Sequence, residues 1–166
     1  ITKDKKKNFE RGLKNEGMRD RGPDSINFEQ VSENIIIGHT RLSIIDLSSK
    51  GNQPLESFNK RFLISFNGEI FNYKELQKFL KYSKKDLDEY GDTRTLLELI
   101  SSKGLKFTLK KINGDFSFVI LDKIKSKVFI ARDRLGAKPL YYYKDNNILC
   151  FSSRIYSIHL TLSKKA

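Results

Sequence analysis

The sequence predicts an α+β domain, on three observations. Short β-rich runs crowd its last third, at 116–121, 127–131, 140–144 and 148–151. Apolar residues recur at helical spacing in three earlier stretches. The strands are gathered together and do not alternate one for one with helices, which favours a layered α+β arrangement with mainly antiparallel sheets over a doubly wound one. The 166 residues, with 12 Phe and 7 Tyr to fill a core, read as a single domain spanning 1–166.

The elements follow in chain order. Over 7–19, Phe9, Leu13 and Met18 lie near helical spacing, and Arg21-Gly22-Pro23-Asp24 ends that helix, because proline biases its predecessor away from the helical region. A loop is expected next, then a buried strand at 34–38. After a turn-rich stretch at 48–54, a second strand at 61–66 is expected to end in an Asn67-Gly68 turn. Asn72 reads as a helix cap with Glu75 at the capping-box position, and Leu76, Phe79 and Leu80 form the apolar stripe behind it. Asp92 reads as the cap of a helix over 93–102 that carries Leu96, Leu97 and Ile100 inward and stops at Gly104. The four late runs then read as an antiparallel meander, turned in one place by Asp145-Asn146-Asn147.

Composition narrows the function. The net charge of +12 comes from 32 Lys and Arg against 20 Asp and Glu, yet the lysines are scattered and interleaved with acids. That pattern reads as a solvated surface, and nucleic acid is not the expected partner. One cysteine, Cys150, cannot close an internal disulfide, and two histidines make no metal-ligand cluster, so no metal site is expected and a reducing, cytoplasmic setting is. The longest apolar runs fall far short of the ~20 residues of a membrane helix. No membrane partner and no signal peptide are expected.

Five loops carry unusual polar sequences at element ends: Met18-Arg19-Asp20-Arg21-Gly22-Pro23-Asp24, His39-Thr40-Arg41-Leu42-Ser43-Ile44-Ile45-Asp46, Phe66-Asn67-Gly68-Glu69-Ile70, Gly91-Asp92-Thr93, and Arg132-Asp133-Arg134-Leu135-Gly136-Ala137-Lys138-Pro139-Leu140-Tyr141-Tyr142. In this order and spacing, from about Lys7 to about Ile158, they resemble the class II glutamine amidotransferase domain of glutamine-hydrolysing asparagine synthetases. The run from Arg132 carries the most specific part of the likeness. The resemblance implies an N-terminal-nucleophile hydrolase fold, a four-layer α/β/β/α sandwich whose first strand is here partly truncated. It also implies a glutaminase that passes ammonia to a C-terminal synthetase domain for ATP-dependent amidation of aspartate, in a parent that can be a homodimer. No cofactor is implied within the domain, and ATP and Mg belong to the parent's synthetase half.

The resemblance assigns roles by position. Arg41 matches the arginine whose planar fork grips the α-carboxylate of glutamine, although taken singly it also fits a surface arginine at a strand end. Asn67 and Gly68 match the oxyanion hole, against the alternative of a plain Asn-Gly turn. Glu69 and Asp92 match the groups around the substrate's α-ammonium, and Asp92 has its capping task besides. The Arg132 loop is read as non-catalytic, with Asp133 paired to Arg132 or Arg134 at the surface.

The pattern also breaks. The family's nucleophile is an N-terminal cysteine, whereas this chain begins at Ile1, read as the tail of the first strand before a charged turn. Roughly half a dozen to ten residues, with a Met-Cys-Gly start, are expected upstream from the usual strand length. Cys150 sits between Leu149 and Phe151 as a buried hydrophobe and is no substitute, so these residues are expected to bind glutamine weakly and not to hydrolyse it. Asp20 stands where the family often has His, and Arg154 where Glu is usual. The remaining alternatives are an amidotransferase feeding a different acceptor, and a cysteine-less regulatory or binding module of the same fold.

Overall fold

The computed structural model describes residues 3–42, 51–82 and 91–163. Ile1-Thr2, the 43–46 part of the second motif, residues 48–50 of the turn-rich 48–54 stretch and the lysines at 84–85 and 164–165 lie outside those residues. The chain forms two compact units, one of residues 1–47, 52–54 and 139–166 and the other of residues 48–51 and 55–138.

In the first unit, helix α1 (Lys3–Leu13) and the short α2 (Glu16–Arg19) replace the single helix expected over 7–19 and the charged turn expected before it. The break falls at Asn15, whose side chain turns back to the Gly12 carbonyl and to Ser157 and so competes with helix continuation. Strand β1 (Ser25–Ser32) pairs antiparallel with β2 (Ile35–Arg41), Phe28 opposite Gly38. A loop was expected over β1. Its alternation of Ile26 and Phe28 with Asn27 and Glu29 is a strand signal, but it is short and interrupted by an irregularity near Gln30. Gly38 leaves room for Leu13 and Phe9 of α1, whose side-chain atoms come within about 3 Å of where a Cβ would stand. The unit closes with the hairpin of β7 (Tyr141–Lys144) and β8 (Leu149–Ser152) and with helix α6 (Ile155–Leu162), which the sequence reading left out. Arg11 on α1 caps α6, donating to the Leu160 and Ser163 carbonyls that the helix end leaves unpaired.

The second unit is a four-stranded antiparallel sheet in the order β3 (Leu55–Glu56), β4 (Phe62–Ile70), β5 (Gly114–Asp122), β6 (Lys127–Arg132). The late strands therefore do not form one meander: β5 and β6 belong to this sheet, and β7 and β8 pair only with each other among the described residues. Side chains alternate faces along a strand. Phe62, Ile64, Phe66 and Ile70 of β4 and Phe116, Phe118 and Ile120 of β5 share one face and the main core. Against that face pack α3 (Tyr73–Leu76), which continues as a 3₁₀ turn to Phe79, and α4 (Asp92–Lys103), through Leu76, Leu80, Leu96, Leu97, Leu99 and Ile100. α4 stops at Gly104, at φ 86°, as expected, and α5 (Leu105–Lys111) follows it. Leu63, Val119 and Leu121 are buried on the opposite face, the one that also carries Asn67 and Glu69.

Candidate active site

The expected Asn67-Gly68 turn is instead the middle of a strand, since β4 runs on through both residues to Ile70 opposite β5. Two glycines make this possible. At Gly68, with φ at +146°, a Cβ would stand 2.1 Å from the Asp115 carbonyl oxygen; at Gly114 it would stand 2.1 Å from the Glu69 carbonyl oxygen. Each glycine thus lets the facing backbone come closer than any side chain would allow. Sequence reasoning took the first Asn-Gly for a turn and passed over the second, Asn113-Gly114, although both belong to one close approach.

The register fixes where the backbone donors point. In an antiparallel ladder, hydrogen-bonded and non-hydrogen-bonded pairs alternate. The Phe71 N–H donates to Asn113 O and Lys123 N–H to Arg61 O, so Asn67↔Ser117 and Glu69↔Asp115 are bonded pairs and Gly68↔Phe116 is not. The N–H of Gly68 therefore faces away from β5, on the side of β4 where, among the described residues, β3 pairs with Leu63 and Ile64. The N–H of Ile70 faces the same way and donates to Asp92 Oδ2 at 3.0 Å.

Asn67 presents the second donor. Its Nδ2 is buried and has no hydrogen-bond partner among the described residues. A buried amide left unsatisfied costs stability, and such groups gather where function asks for them. Glu69, two residues on, is exposed.

Asp92 is the first residue of α4 and not its cap, which is Gly91. Its Oδ1 accepts from the Thr93 N–H at 2.7 Å while Oδ2 takes Ile70, so its carboxylate is held beside the end of β4. A carboxylate in a helix's first turn is also favoured by the helix dipole. Thr95 steadies this corner, donating to the Gly91 carbonyl and accepting from Gln77. Asn72 makes no cap hydrogen bond for α3. Its side chain bridges Lys111 O and the Asn113 N–H, which braces the approach to Gly114.

Arg41 belongs to the other unit. It ends β2 opposite Ser25, and its Nη1 donates to Asn52 Oδ1 at 2.9 Å. His39, two residues before it, is held neutral at physiological pH: burial above all, and then the Arg41 charge, lower its pKa to about 4. Cys150 is half-buried in β8, where burial pushes its thiol up to about 11. Asp20 and Arg154, the two departures from the family pattern, are both exposed. Asp133, expected to pair with an arginine at the surface, is buried and accepts backbone N–H groups, while Arg132 turns to the Gly136 and Lys138 carbonyls.

The fold is that of the N-terminal-nucleophile hydrolases. Its likeness to glutamine phosphoribosylpyrophosphate amidotransferase from B. subtilis, complexed with ADP and GMP, has a TM-score of 0.60 at 21% identity, covering 76% of this chain and 29% of that one. Residues 1–165 match the family described as the glutamine amidotransferase domain, and the chain belongs to that family. Among curated proteins it is 38% identical to asparagine synthetase (glutamine-hydrolysing) 2 of Bacillus subtilis over 86% of this chain and 19% of that protein. It is 37% identical to the glutamine-hydrolysing asparagine synthetase B of Escherichia coli over 78% of this chain and 23% of that protein. The chain spans about a fifth to a third of the length of the curated relatives it matches. No helix among the described residues is long and apolar enough to cross a membrane.

Proposed function

We propose that these residues bind glutamine for an amidotransferase that releases ammonia to a synthetase domain of the same parent chain, for ATP-dependent amidation of aspartate in the cytoplasm. The observation that carries the proposal is the buried Nδ2 of Asn67, unpartnered among the described residues, next to a Gly68 N–H that faces away from the neighbouring strand.

Attack on a carboxamide puts negative charge on its oxygen. Two fixed donors answer that charge without having to reorganise, each contributing about 3 kcal/mol in comparable enzymes. Asp92, whose carboxylate is already fixed by two backbone N–H groups, takes the α-ammonium with Glu69, the residue before its partner Ile70. Arg41 takes the α-carboxylate with its planar guanidinium. The thiol of Cys150, raised to about 11, is almost wholly protonated near neutrality and is a poor nucleophile. Binding and transition-state stabilisation are therefore assigned to these residues, and the nucleophile is not. ATP and Mg are assigned to the synthetase half, and a homodimer to the parent.

Calorimetric titration of the 166-residue chain tests the reading. L-glutamine is expected to bind with a Kd on the order of 1 mM. Arg41→Ala and Asp92→Asn are each expected to weaken it about tenfold, one broken charge-assisted contact being worth roughly that factor. Equal binding of D-glutamine, or no effect of either substitution, would refute the assignment.

A further inference from the structure

The 132–138 loop holds a group that the proposed chemistry does not use. Asp133 is buried, yet its partners are not the neighbouring arginines. Its Oδ1 accepts the N–H groups of Leu135 and Ala137, and its Oδ2 those of Lys138 and Phe116. Its own N–H donates to the Phe116 carbonyl at 2.8 Å. Three of the side-chain bonds organise the loop, and the fourth leaves it to reach the strand. Phe116 is the residue that stands opposite Gly68. One strand position along, Arg132, Ser117 and Asn67 lie in register across β6, β5 and β4.

Phe116 thus offers both of its backbone groups to Asp133 and neither to Gly68, which is why the Gly68 N–H faces the other way. The close approach at this point leaves little tolerance, because Phe116 Cα would lie 2.7 Å from a Cβ at Gly68. Any shift of β5 here is felt directly by β4.

We propose that Asp133 is a positioning residue for the oxyanion hole: it fixes β5 at Phe116, and through Phe116 sets the orientation of the Gly68 N–H and the Asn67 side chain. It touches no substrate, and the proposal rests on the reading of Asn67 and Gly68 as the oxyanion donors. Its carboxylate is also held below the usual range, first by the Ala137 N–H, against the opposing effect of burial, and then by the other backbone donors. It is therefore ionised at neutral pH, where its acceptor bonds are strongest.

The test compares two substitutions in the same sheet. Asp122 is another buried, ionised aspartate, at the far end of β5, where it pairs with Arg61. The nitrogen–proton NMR spectrum of the unliganded 166-residue chain is recorded for Asp133→Asn and Asp122→Asn beside the parent sequence. Both are expected to lower the thermal midpoint. Only Asp133→Asn is expected to shift the Gly68 amide and the Asn67 side-chain NH₂ resonances, and to weaken L-glutamine binding about tenfold. Should Asp133→Asn fail to fold, Asp133→Glu keeps the charge but misplaces the oxygens by one methylene, and the same shifts are expected. Gly68 and Asn67 resonances that stay in place, or that move equally in the Asp122 variant, overturn the proposal. Since the resonances are read without ligand, failure of glutamine to bind would count against the proposed function and leave this result separate.

Discussion

Strands β4 and β5 meet Arg61 and Asp122 at one end and Gly68 and Gly114 at the other. At the first end the guanidinium of Arg61 grips Asp122 with two hydrogen bonds, 3.1 and 2.7 Å, and the same carboxylate accepts the Ile124 and Lys125 N–H groups of the following turn. Lys123 pairs with Glu56 beside it. At the second end the strands approach through glycines, Gly68 sits at a positive φ, and Asn67 keeps a buried nitrogen without a partner among the described residues. One pair of strands thus carries an end that spends its polar groups on holding the fold and an end that leaves the Asn67 nitrogen unspent among the described residues. The contrast teaches that a site is marked less by which residues are present than by which bonds are withheld.

The largest effect that would sharpen this contrast is steric. Gly68→Ala places a methyl group 2.1 Å from the Asp115 oxygen at a φ that L residues rarely adopt, and is expected to cost about 3 kcal/mol or more. Urea unfolding measures it, and a loss under about 1 kcal/mol would mean that the strands do not approach so closely. Next comes Asp122→Ala, which leaves Arg61 facing a gap at the closed end and is expected to lower the urea midpoint clearly. Asn67→Ala is expected to do the reverse of what a buried-polar truncation normally does. Because its nitrogen has no partner among the described residues, stability should stay within about 0.5 kcal/mol of the parent or rise. A destabilisation as large as that of Asp122→Ala would erase the distinction between the two ends.

The smallest effect is a shared one, in acid. Asp122 is held below the ordinary carboxylate range, chiefly by its hydrogen bond from Arg61, and Asp133 likewise, chiefly by the Ala137 N–H. A carboxylate with a lowered folded pKa contributes stability that is complete above its unfolded value, near 4. That contribution is lost as the pH falls through the folded value. Both ends should therefore weaken as the pH falls below about 4, and Asp122→Asn and Asp133→Asn should each flatten the acid limb of the thermal midpoint against pH. Acid lability cannot tell the ends apart, which is why the resonances of Gly68 and Asn67 are the better probe.

Much of this was legible in the sequence, for reasons that differ by element. The strands in β5 to β8, the helix ending at Gly104 and the α+β class follow from period and punctuation, which are local properties. The pairing of β5 with β4 is not local, and so Asn67-Gly68 read as a turn until its partner strand was in view. The same holds for Asp133: a carboxylate in a loop looks like half of a surface ion pair when its real partners are backbone groups that the sequence does not display. β1 was missed because its alternation is too short to outweigh the flanking turn residues, and α6 because nothing in the Ile155–Leu162 segment caps its start by side chain. The roles of Arg41, Asn67, Gly68, Glu69 and Asp92 came from a resemblance. What the structure adds is the unspent donor at Asn67, the outward N–H at Gly68 and the anchored carboxylate at Asp92.

The measurement closest to the central claim is a titration of the ¹⁵N-labelled 166-residue chain with L-glutamine, read at the Asn67 side-chain NH₂ and the Gly68 amide. A carboxamide oxygen accepting from both donors predicts that the two resonances move together and saturate at one Kd, with the Arg61 and Asp122 signals at the far end unmoved. Saturation by glutamine that leaves Asn67 and Gly68 where they were would contradict it.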